Sequence, residues 1–137
     1  KDKILREIRA ASQEMFMRLF MICAVSFALL ATSADAGDAS SGKTVFSRCA
    51  ICHSVQKGGA NGLGPNLFGV VGRKAASLST FAYSAALKNS RITWTPDKLK
   101  NWVTSPARTV PGTKMAFAGI SNPKQADDVV AYLATLK

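Results

Sequence analysis

The feature that most restricts what this 137-residue chain can be is the stretch CAICH, from Cys49 to His53, which contains two of its three cysteines and its single histidine. Two thiols at this spacing occur in zinc sites, in redox pairs and in short structural disulfides. A closed zinc site needs four ligands, whereas residues 37–137 offer two cysteines and one histidine. A redox pair of the thioredoxin type belongs to a βαβ pattern, which the sequence lacks, and a disulfide leaves His53 without a role.

Covalent attachment of haem accounts for all three residues, because C-x-x-C-H is the spacing used for c-type haem. Two thiols three positions apart at a helix end can reach the two vinyl groups on one edge of the porphyrin. The imidazole of the next residue then reaches the iron as its proximal ligand. The predicted cofactor is therefore one haem c, bound through Cys49 and Cys52, with His53 on the iron. A thiol oxidoreductase or a metal-binding module without haem is the alternative.

The second axial ligand is predicted to be Met115, in the segment PGTKMAFAG, because it is the only methionine beyond residue 36. Methionine with histidine is the ligand pair of electron-transfer haem proteins, since it raises the reduction potential. Lys114 is the conceivable substitute, but only in a deprotonated form that lysine rarely adopts at neutral pH. Core packing is the other role open to Met115. Two filled axial positions favour an electron carrier over a haem enzyme or gas sensor with an open sixth position.

Residues 15–36 have the order of a secretory signal: a basic start, an apolar run from Leu19 to Ala31, and small residues ending at Ala36. Cleavage is expected after Ala36, which places the protein in the periplasm and removes Cys23 with the signal. The apolar run is shorter than the roughly 20 residues of a membrane-spanning helix. A signal that is retained as a membrane anchor is the alternative.

The rest of the chain is interpreted as a short extension and one domain. Residues 1–14 are taken as upstream sequence outside the fold, and residues 37–137 as the folded domain. Of the 18 basic and 8 acidic side chains, 13 and 4 lie in that domain, which gives it a net charge of +9. This charge favours an acidic partner. Because the basic residues form no long run and no nucleic-acid motif is present, we expect an acidic protein face rather than nucleic acid.

Capping patterns predict a small all-α domain with long loops. Three helix N-termini are indicated, at Ser40 or Ser41, at Thr95-Pro96-Asp97, and at Asn122-Pro123 with Gln125 at capping-box spacing. A shorter helix is expected around Ser84 to Lys88. The segment from Ser54 to Phe81 is rich in Gly, Pro, Asn and Ser and is predicted to be loop. Because so long a loop is unusual in a small domain, we expect it to wrap something other than protein.

These residues and their surroundings resemble class I cytochrome c, in the branch shared by mitochondria and alphaproteobacteria. The similarity extends over essentially all of residues 37–137, and its most specific combination is CAICH with GPNLFGVVGRK and PGTKMAFAGI. The resemblance implies an all-α fold that encloses one haem in long wrapping loops. It also implies that the N- and C-terminal helices cross, with Gly42 and Phe46 near Val129 and Tyr132.

The resemblance also assigns roles around the haem to residues outside CAICH. The carbonyl of Pro65 is expected to accept the second ring N–H of His53, which orients this ligand. The expected partners of the haem propionates are Arg73, Tyr83 and Trp94, with Thr113 on the methionine side and Phe117 at the exposed haem edge. Trp102 is expected near the methionine sulfur, at a position where many members of the family have a tyrosine. An indole N–H can donate but not accept a hydrogen bond, so the contact with the sulfur is expected to be altered.

The function implied by the resemblance is that of a monomeric electron carrier rather than an enzyme. The expected donor is a quinol-oxidising cytochrome bc complex, and the expected acceptor is a terminal oxidase or another reductase. Contact with a membrane is expected only if the signal is retained. The family's docking face is a ring of lysines. Near it this chain has the basic residues Arg48, Arg108, Lys114 and Lys124 and the neutral residues Ala60, Gly62, Ser121 and Asn122.

Overall fold

The computed structural model of the protein describes residues 37–137 and, before them, only Lys3 and Glu7. The chain divides into two compact units, Lys1–Ala34 and Asp35–Lys137. In the first unit, the two described positions are helical and exposed. Apart from these two positions, the predicted extension and signal, together with the predicted cleavage site, lie outside the described residues and stay predictions.

Five helices and no strand are formed by residues 37–137, which confirms the predicted all-α fold. The helices are α1 (Ala39–Ala50), α2 (Ala85–Asn89), α3 (Pro96–Thr104), α4 (Pro106–Thr109) and α5 (Pro123–Thr135). Between α1 and α2 the chain has no helix, as predicted for the segment from Ser54 to Phe81. An isolated antiparallel bridge joins Lys74, in this long loop, to Thr93, between α2 and α3. The short helix α4 was not indicated by the sequence analysis.

Local capping patterns define three of the helix starts. The Thr95 hydroxyl accepts from the N–H of Lys98 at 3.3 Å, so that Pro96 occupies the first turn of α3. Asn122 begins α5 in the same way and accepts from the N–H of Gln125 at 3.2 Å. Ser84 caps α2. The starts predicted at Thr95 and Asn122 are confirmed, and so is the short helix expected around Ser84 to Lys88.

The predicted cap of α1 at Ser40 or Ser41 is wrong. The cap is Asp38, whose carboxylate accepts from the N–H of Ser40 at 2.8 Å and from the hydroxyl of Ser41 at 3.0 Å. A carboxylate has several acceptor sites and interacts favourably with the positive end of the helix dipole. The hydrogen bond from the Ser40 amide, and then that from the Ser41 hydroxyl, lower the pKa of Asp38.

The crossing of α1 and α5 brings the two ends of the domain together. Gly42 lies so close to α5 that a Cβ at this position would overlap the carbonyl oxygen of Asp128 and come within 2.5 Å of its carbonyl carbon. One turn later the ring of Phe46 packs on that of Tyr132, with 5.3 Å between ring centroids. Val129 is fully buried at the crossing. The contact predicted from the resemblance is therefore confirmed.

A buried carboxylate links this crossing to the start of α1. Asp128 accepts from the backbone N–H of Asp38 at 2.7 Å and from the ammonium of Lys124 at 3.0 Å. The hydrogen bond from the Asp38 amide, and then that from Lys124, lower the pKa of Asp128, so it is charged at neutral pH. The charged form therefore stabilises the helix crossing.

We expect Asp128→Asn to destabilise the protein at neutral pH but not in acid. The folded-state pKa of Asp128 is lower than its unfolded value, which is about 3.9. Its contribution is therefore present above that unfolded value and is lost as the pH falls through the folded-state pKa. In urea unfolding, the difference in unfolding free energy between wild type and variant should be constant above about pH 5 and shrink below about pH 4.

The control is Asp97→Asn, which removes the same charge from an exposed position in the first turn of α3. A difference for Asp128→Asn that persisted unchanged to the lowest pH would show that shape, rather than charge, is what matters at this position.

Candidate functional site

The CAICH motif lies at the end of α1 and continues as a turn. The N–H groups of Cys52 and His53 both donate to the carbonyl of Cys49, at 3.0 and 2.9 Å. Both thiols are free and half-buried, so they do not form the short disulfide considered from the sequence. Burial raises the pKa of Cys49, against the opposing charge of Arg48.

The imidazole of His53 is held in one orientation. Its Nδ1 lies 2.7 Å from the carbonyl oxygen of Pro65, which is the contact predicted from the resemblance. Because a carbonyl can only accept, Nδ1 carries the hydrogen and the lone pair is on Nε2. Burial lowers the pKa of His53, against the opposing effect of the Pro65 hydrogen bond, and favours the neutral ring. The structure thus presents a neutral, oriented imidazole of the kind that binds a metal.

Gly64, which the sequence analysis did not single out, forms the support of this ring. A Cβ at residue 64 would overlap Cε1 of His53 and lie 2.6 Å from Nδ1 and 2.8 Å from Nε2. The backbone of Gly64 is also tied to the motif, because its N–H donates to the carbonyl of Cys52 at 2.8 Å. Only a residue without a side chain allows the loop to lie flat against the imidazole. In the sequence, Gly64 was marked only by its place beside Pro65, and the His53 ring that it supports is 11 positions away.

The segment that contains Met115 alternates between half-buried and exposed residues. Thr113, Met115 and Phe117 are half-buried, whereas Lys114 and Ala116 are exposed. Met115 and Phe117 pack against the core. The three predicted residues therefore share the inner side of an extended segment. Lys114, the substitute ligand considered from the sequence, lies on the outer side.

Hydrogen bonds hold this segment at both ends. The N–H of Thr113 donates to the carbonyl of Val110 at 3.1 Å, and the N–H of Ile120 donates to that of Val103, in α3, at 2.9 Å. The Thr113 hydroxyl accepts from the N–H of Met115 at 3.2 Å. The backbone on either side of Met115 is therefore held in place.

Arg73 has donor capacity left over for an anion. Its guanidinium donates to the carbonyls of Phe68 at 3.1 Å and Asn66 at 2.9 Å, which uses two of its five N–H groups. Burial lowers its pKa, against the opposing effect of Tyr83, although arginine stays charged. Burial also raises the pKa of Tyr83, against the charge of Arg73, and keeps the phenol neutral. Arg73 and Tyr83 are thus electrostatic neighbours.

Asn66 is a second residue that the sequence analysis missed. This buried side chain donates to the carbonyls of Gln56 and Gly59, both at 2.8 Å, and accepts from the N–H of Phe68 at 2.8 Å. It therefore joins both halves of the loop that contains Pro65, and it sets the position of the Asn66 carbonyl used by Arg73. In the sequence, Asn66 was marked only by its place in the motif GPN.

The two tryptophans lie together in the core. The rings of Trp94 and Trp102 have centroids 5.2 Å apart with a tilt of 53°. Trp94 is also held through its backbone, because its N–H donates to the carbonyl of Arg73 at 2.9 Å. The structure thus groups Trp94 with Arg73 and brings Trp102, on α3, against it.

The loops contribute apolar side chains that the protein buries only in part. These half-buried residues, all packed against the core, include Val55, Leu67, Val71, Leu78, Phe81, Met115 and Phe117. A large apolar group bound among the loops would complete their burial, at about 25 cal/mol for each Å² removed from water. A haem fits this donor set, since two free thiols, a neutral imidazole, a thioether and spare cationic donors are what it requires.

Across residues 37–137, no three or more His, Cys, Asp or Glu side chains are grouped in a way that could hold a metal ion. The same part of the chain has no helix with the length and hydrophobicity needed to cross a bilayer.

Comparison with known proteins gives a consistent result. The profile of the family described as "Cytochrome c" matches residues 39–137. Cytochrome c2 of Rhodoblastus acidophilus is 47% identical over 102 residues, which cover 74% of this chain and 95% of that protein. Cytochrome c2 of Rhodomicrobium vannielii is 44% identical over 121 residues, which cover 87% of this chain and 97% of that protein.

A solved structure is also similar in sequence and fold. It is cytochrome cH from Methylobacterium extorquens, which is 50% identical and superposes with a TM-score of 0.68. The match covers 72% of this chain and 99% of the other.

Proposed function

The chain belongs to the cytochrome c family, and from this premise we propose that it transfers single electrons in the periplasm between membrane-bound redox complexes, with His53 and Met115 as the axial ligands of its haem iron. The family consists of electron-transfer proteins rather than enzymes, and this chain is a monohaem c-type electron carrier. Its haem c is attached covalently through Cys49 and Cys52. When bound, the haem supplies an iron that is interconverted between its ferrous and ferric states.

The observation that carries the proposed ligation is the pairing of an oriented imidazole with an inward methionine. The lone pair of His53 is on Nε2 because Nδ1 donates to Pro65. Met115 lies on the inner side of a segment whose ends are held by hydrogen bonds to the carbonyls of Val110 and Val103. Both ligands are neutral, and hydrogen bonds that do not involve the iron orient the His53 ring and hold the backbone of the Met115 segment. They can therefore remain in place in both oxidation states, which keeps the structural change during electron transfer small.

The remaining roles follow from the same contacts. Arg73, Tyr83 and Trp94 are proposed to hold a propionate, since Arg73 has N–H groups beyond the two used by Phe68 and Asn66. Thr113 and Phe117 share the inner side with Met115, and Trp102 is proposed to lie near the methionine sulfur.

The proposed partners are a quinol-oxidising cytochrome bc complex as electron donor and a terminal oxidase or another reductase as acceptor. A net charge of +9 on residues 37–137 suits docking to acidic faces of these complexes. The signal at residues 15–36 is proposed to direct export, with membrane anchoring only if it is retained. The carrier is proposed to act as a monomer without nucleic acid.

This role is tested by the salt dependence of reduction by a purified quinol-oxidising cytochrome bc complex. Electrostatic attraction speeds the encounter at low ionic strength, and salt screens it. We expect the second-order rate constant to fall at least about tenfold between roughly 10 and 200 mM salt. Reduction by a small neutral quinol serves as the control and should show almost no salt dependence. A flat profile with the complex would exclude docking through the basic face.

A further inference from the structure

The start of the folded domain coincides with the predicted cleavage site of the signal. Cleavage is expected after Ala36, so that Gly37 and Asp38 directly follow the scissile bond. Asp38 is already the cap of α1, which begins at Ala39. The residues on the carboxyl side of the scissile bond therefore belong to the fold, and no linker lies between this bond and the first helix of the domain.

The backbone of Gly37 is packed against α5. A Cβ at residue 37 would overlap the carbonyl oxygen of Asp127 and lie 2.8 Å from the backbone nitrogen of Asp128. Because these separations are too short for atoms that are not bonded, only a residue without a side chain lets the chain run so close to the helix. Gly37 thus repeats, at the entry to α1, the close approach that Gly42 makes at the crossing itself.

The peptide groups of Asp38 are held within the domain. Its N–H donates to the carboxylate of Asp128 at 2.7 Å, and its carbonyl accepts from the N–H of Gly42 at 2.8 Å. Its side chain accepts from the N–H of Ser40 at 2.8 Å. The backbone donor and acceptor of Asp38 are therefore both used, and neither is available to pair with another chain.

A protease needs these residues in a different state. Proteolysis occurs in exposed or locally unfolded segments, because the protease must bind the chain in its cleft on both sides of the bond that it cuts. Freeing Gly37 and Asp38 requires loss of the hydrogen bond to Asp128 and separation of α1 from α5. That separation also exposes Phe46 and Val129, which are buried at the crossing.

We propose that the signal can be removed only before α1 and α5 close on each other, so that the folded domain protects its own cleavage site. This rests on the export signal proposed above and on cleavage after Ala36, and it adds the order of cleavage and folding. A chain that is cut before it folds becomes the free carrier. A chain that folds first keeps its signal and is the membrane-anchored form.

Haem strengthens this protection. The half-buried loop side chains that pack against the core are covered further when the haem is bound, and a group that binds only the folded state makes opening less favourable. The rate of proteolysis follows the fraction of molecules that are open, when opening and closing are fast relative to cutting. Cleavage should therefore be slower in the haem-loaded chain than in the haem-free chain.

The test is incubation of the full chain with purified signal peptidase in detergent. Haem is attached beforehand by a haem lyase in the cytoplasm of an expression host, where the signal is kept. We expect cleavage after Ala36 to be at least about tenfold slower in the haem-loaded chain than in the haem-free chain, both in the same dilute urea. Intact mass and N-terminal sequencing give the rate and the position of the cut.

Three variants of the haem-loaded chain make the result specific. Inserting Gly-Ser-Gly-Ser between Ala36 and Gly37 leaves the domain unchanged but moves the scissile bond into a flexible linker, and cleavage should reach the rate of the haem-free chain. Gly42→Ala forces α1 and α5 apart and should speed cleavage at least about tenfold. Ser47→Ala, at an exposed position of α1, should leave the rate unchanged. If Gly42→Ala does not fold, the insertion variant still decides the question.

Two outcomes would overturn the order of events. One is cleavage of the haem-loaded wild-type chain as fast as that of the haem-free chain. The other is slow cleavage of the insertion variant, because the obstacle would then not be the contact of Gly37 with α5. If even the haem-free chain is not cut after Ala36, the predicted cleavage site is wrong, and the inference is lost with it while the proposed haem ligation is unaffected.

Discussion

Replacing Met115 by alanine is expected to lower the reduction potential by a few tenths of a volt and to remove the visible absorption band of a ferric sulfur–iron bond. A thioether favours the reduced iron, and the choice of axial ligands spans about 0.8 V in haem proteins. Without the thioether, the sixth position becomes available to water or to an added ligand such as cyanide. Potentiometric titration and the absorption spectrum of the oxidised protein measure both effects.

Two matched variants separate ligation from packing at this position. Met115→Leu keeps most of the buried volume of the half-buried side chain and should shift the potential as much as alanine does, but with a smaller loss of stability. Lys114→Ala changes the adjacent exposed residue and should leave both the potential and the absorption band unchanged. An unaltered potential and spectrum in Met115→Ala would show that the iron has a different sixth ligand, and the proposed mode of electron transfer would then be wrong.

Gly42→Ala is expected to destabilise the folded protein by about 3 kcal/mol or more, even though alanine is the better helix former. In an exposed helix this exchange would stabilise by about 1 kcal/mol. At the crossing of α1 and α5, however, the new Cβ would overlap the Asp128 carbonyl oxygen and lie 2.9 Å from the Cβ of Tyr132. Two helix backbones must separate to admit it, and the contact of Phe46 with Tyr132 then loosens as well.

The measurement is urea or thermal unfolding of the haem-loaded protein, in which 3 kcal/mol corresponds to a lowering of Tm by about 15 °C. Ser47→Ala is the matched control, because Ser47 is exposed on the same helix and gains only helix propensity. The variant should stay within about 0.5 kcal/mol of wild type. Equal stability of Gly42→Ala and Ser47→Ala would mean that the close approach of the helices is not maintained in solution.

The start of α1 shows why some local patterns cannot be resolved from sequence. Asp38, Ser40 and Ser41 all have side chains that can cap a helix, and any of the three could begin it. The choice of Asp38 is supported by its backbone N–H, which donates to Asp128, a residue 90 positions away. At Thr95 and Asn122 there was no such competition, because a proline directly after each cap marks the first turn.

The residues around the haem iron were likewise predicted only in part. His53 and Met115 were predicted from chemistry, since each is the only residue of its type in residues 37–137. The resemblance predicted the support of His53 by Pro65, but it did not indicate Gly64 or Asn66, because these two residues act through contacts with His53 and with the loop carbonyls of Gln56 and Gly59. Close packing and buried amide hydrogen bonds leave no periodic pattern in the chain.

The sequence alone therefore determined the haem attachment motif, the all-α class and two capped helices, because each of these depends on residues within a few positions of one another. Only the tertiary structure decided the cap of α1, the glycine against the imidazole and the inner side of the Met115 segment. Each of these depends on which distant backbone groups approach, and that is set by the packing of the whole domain.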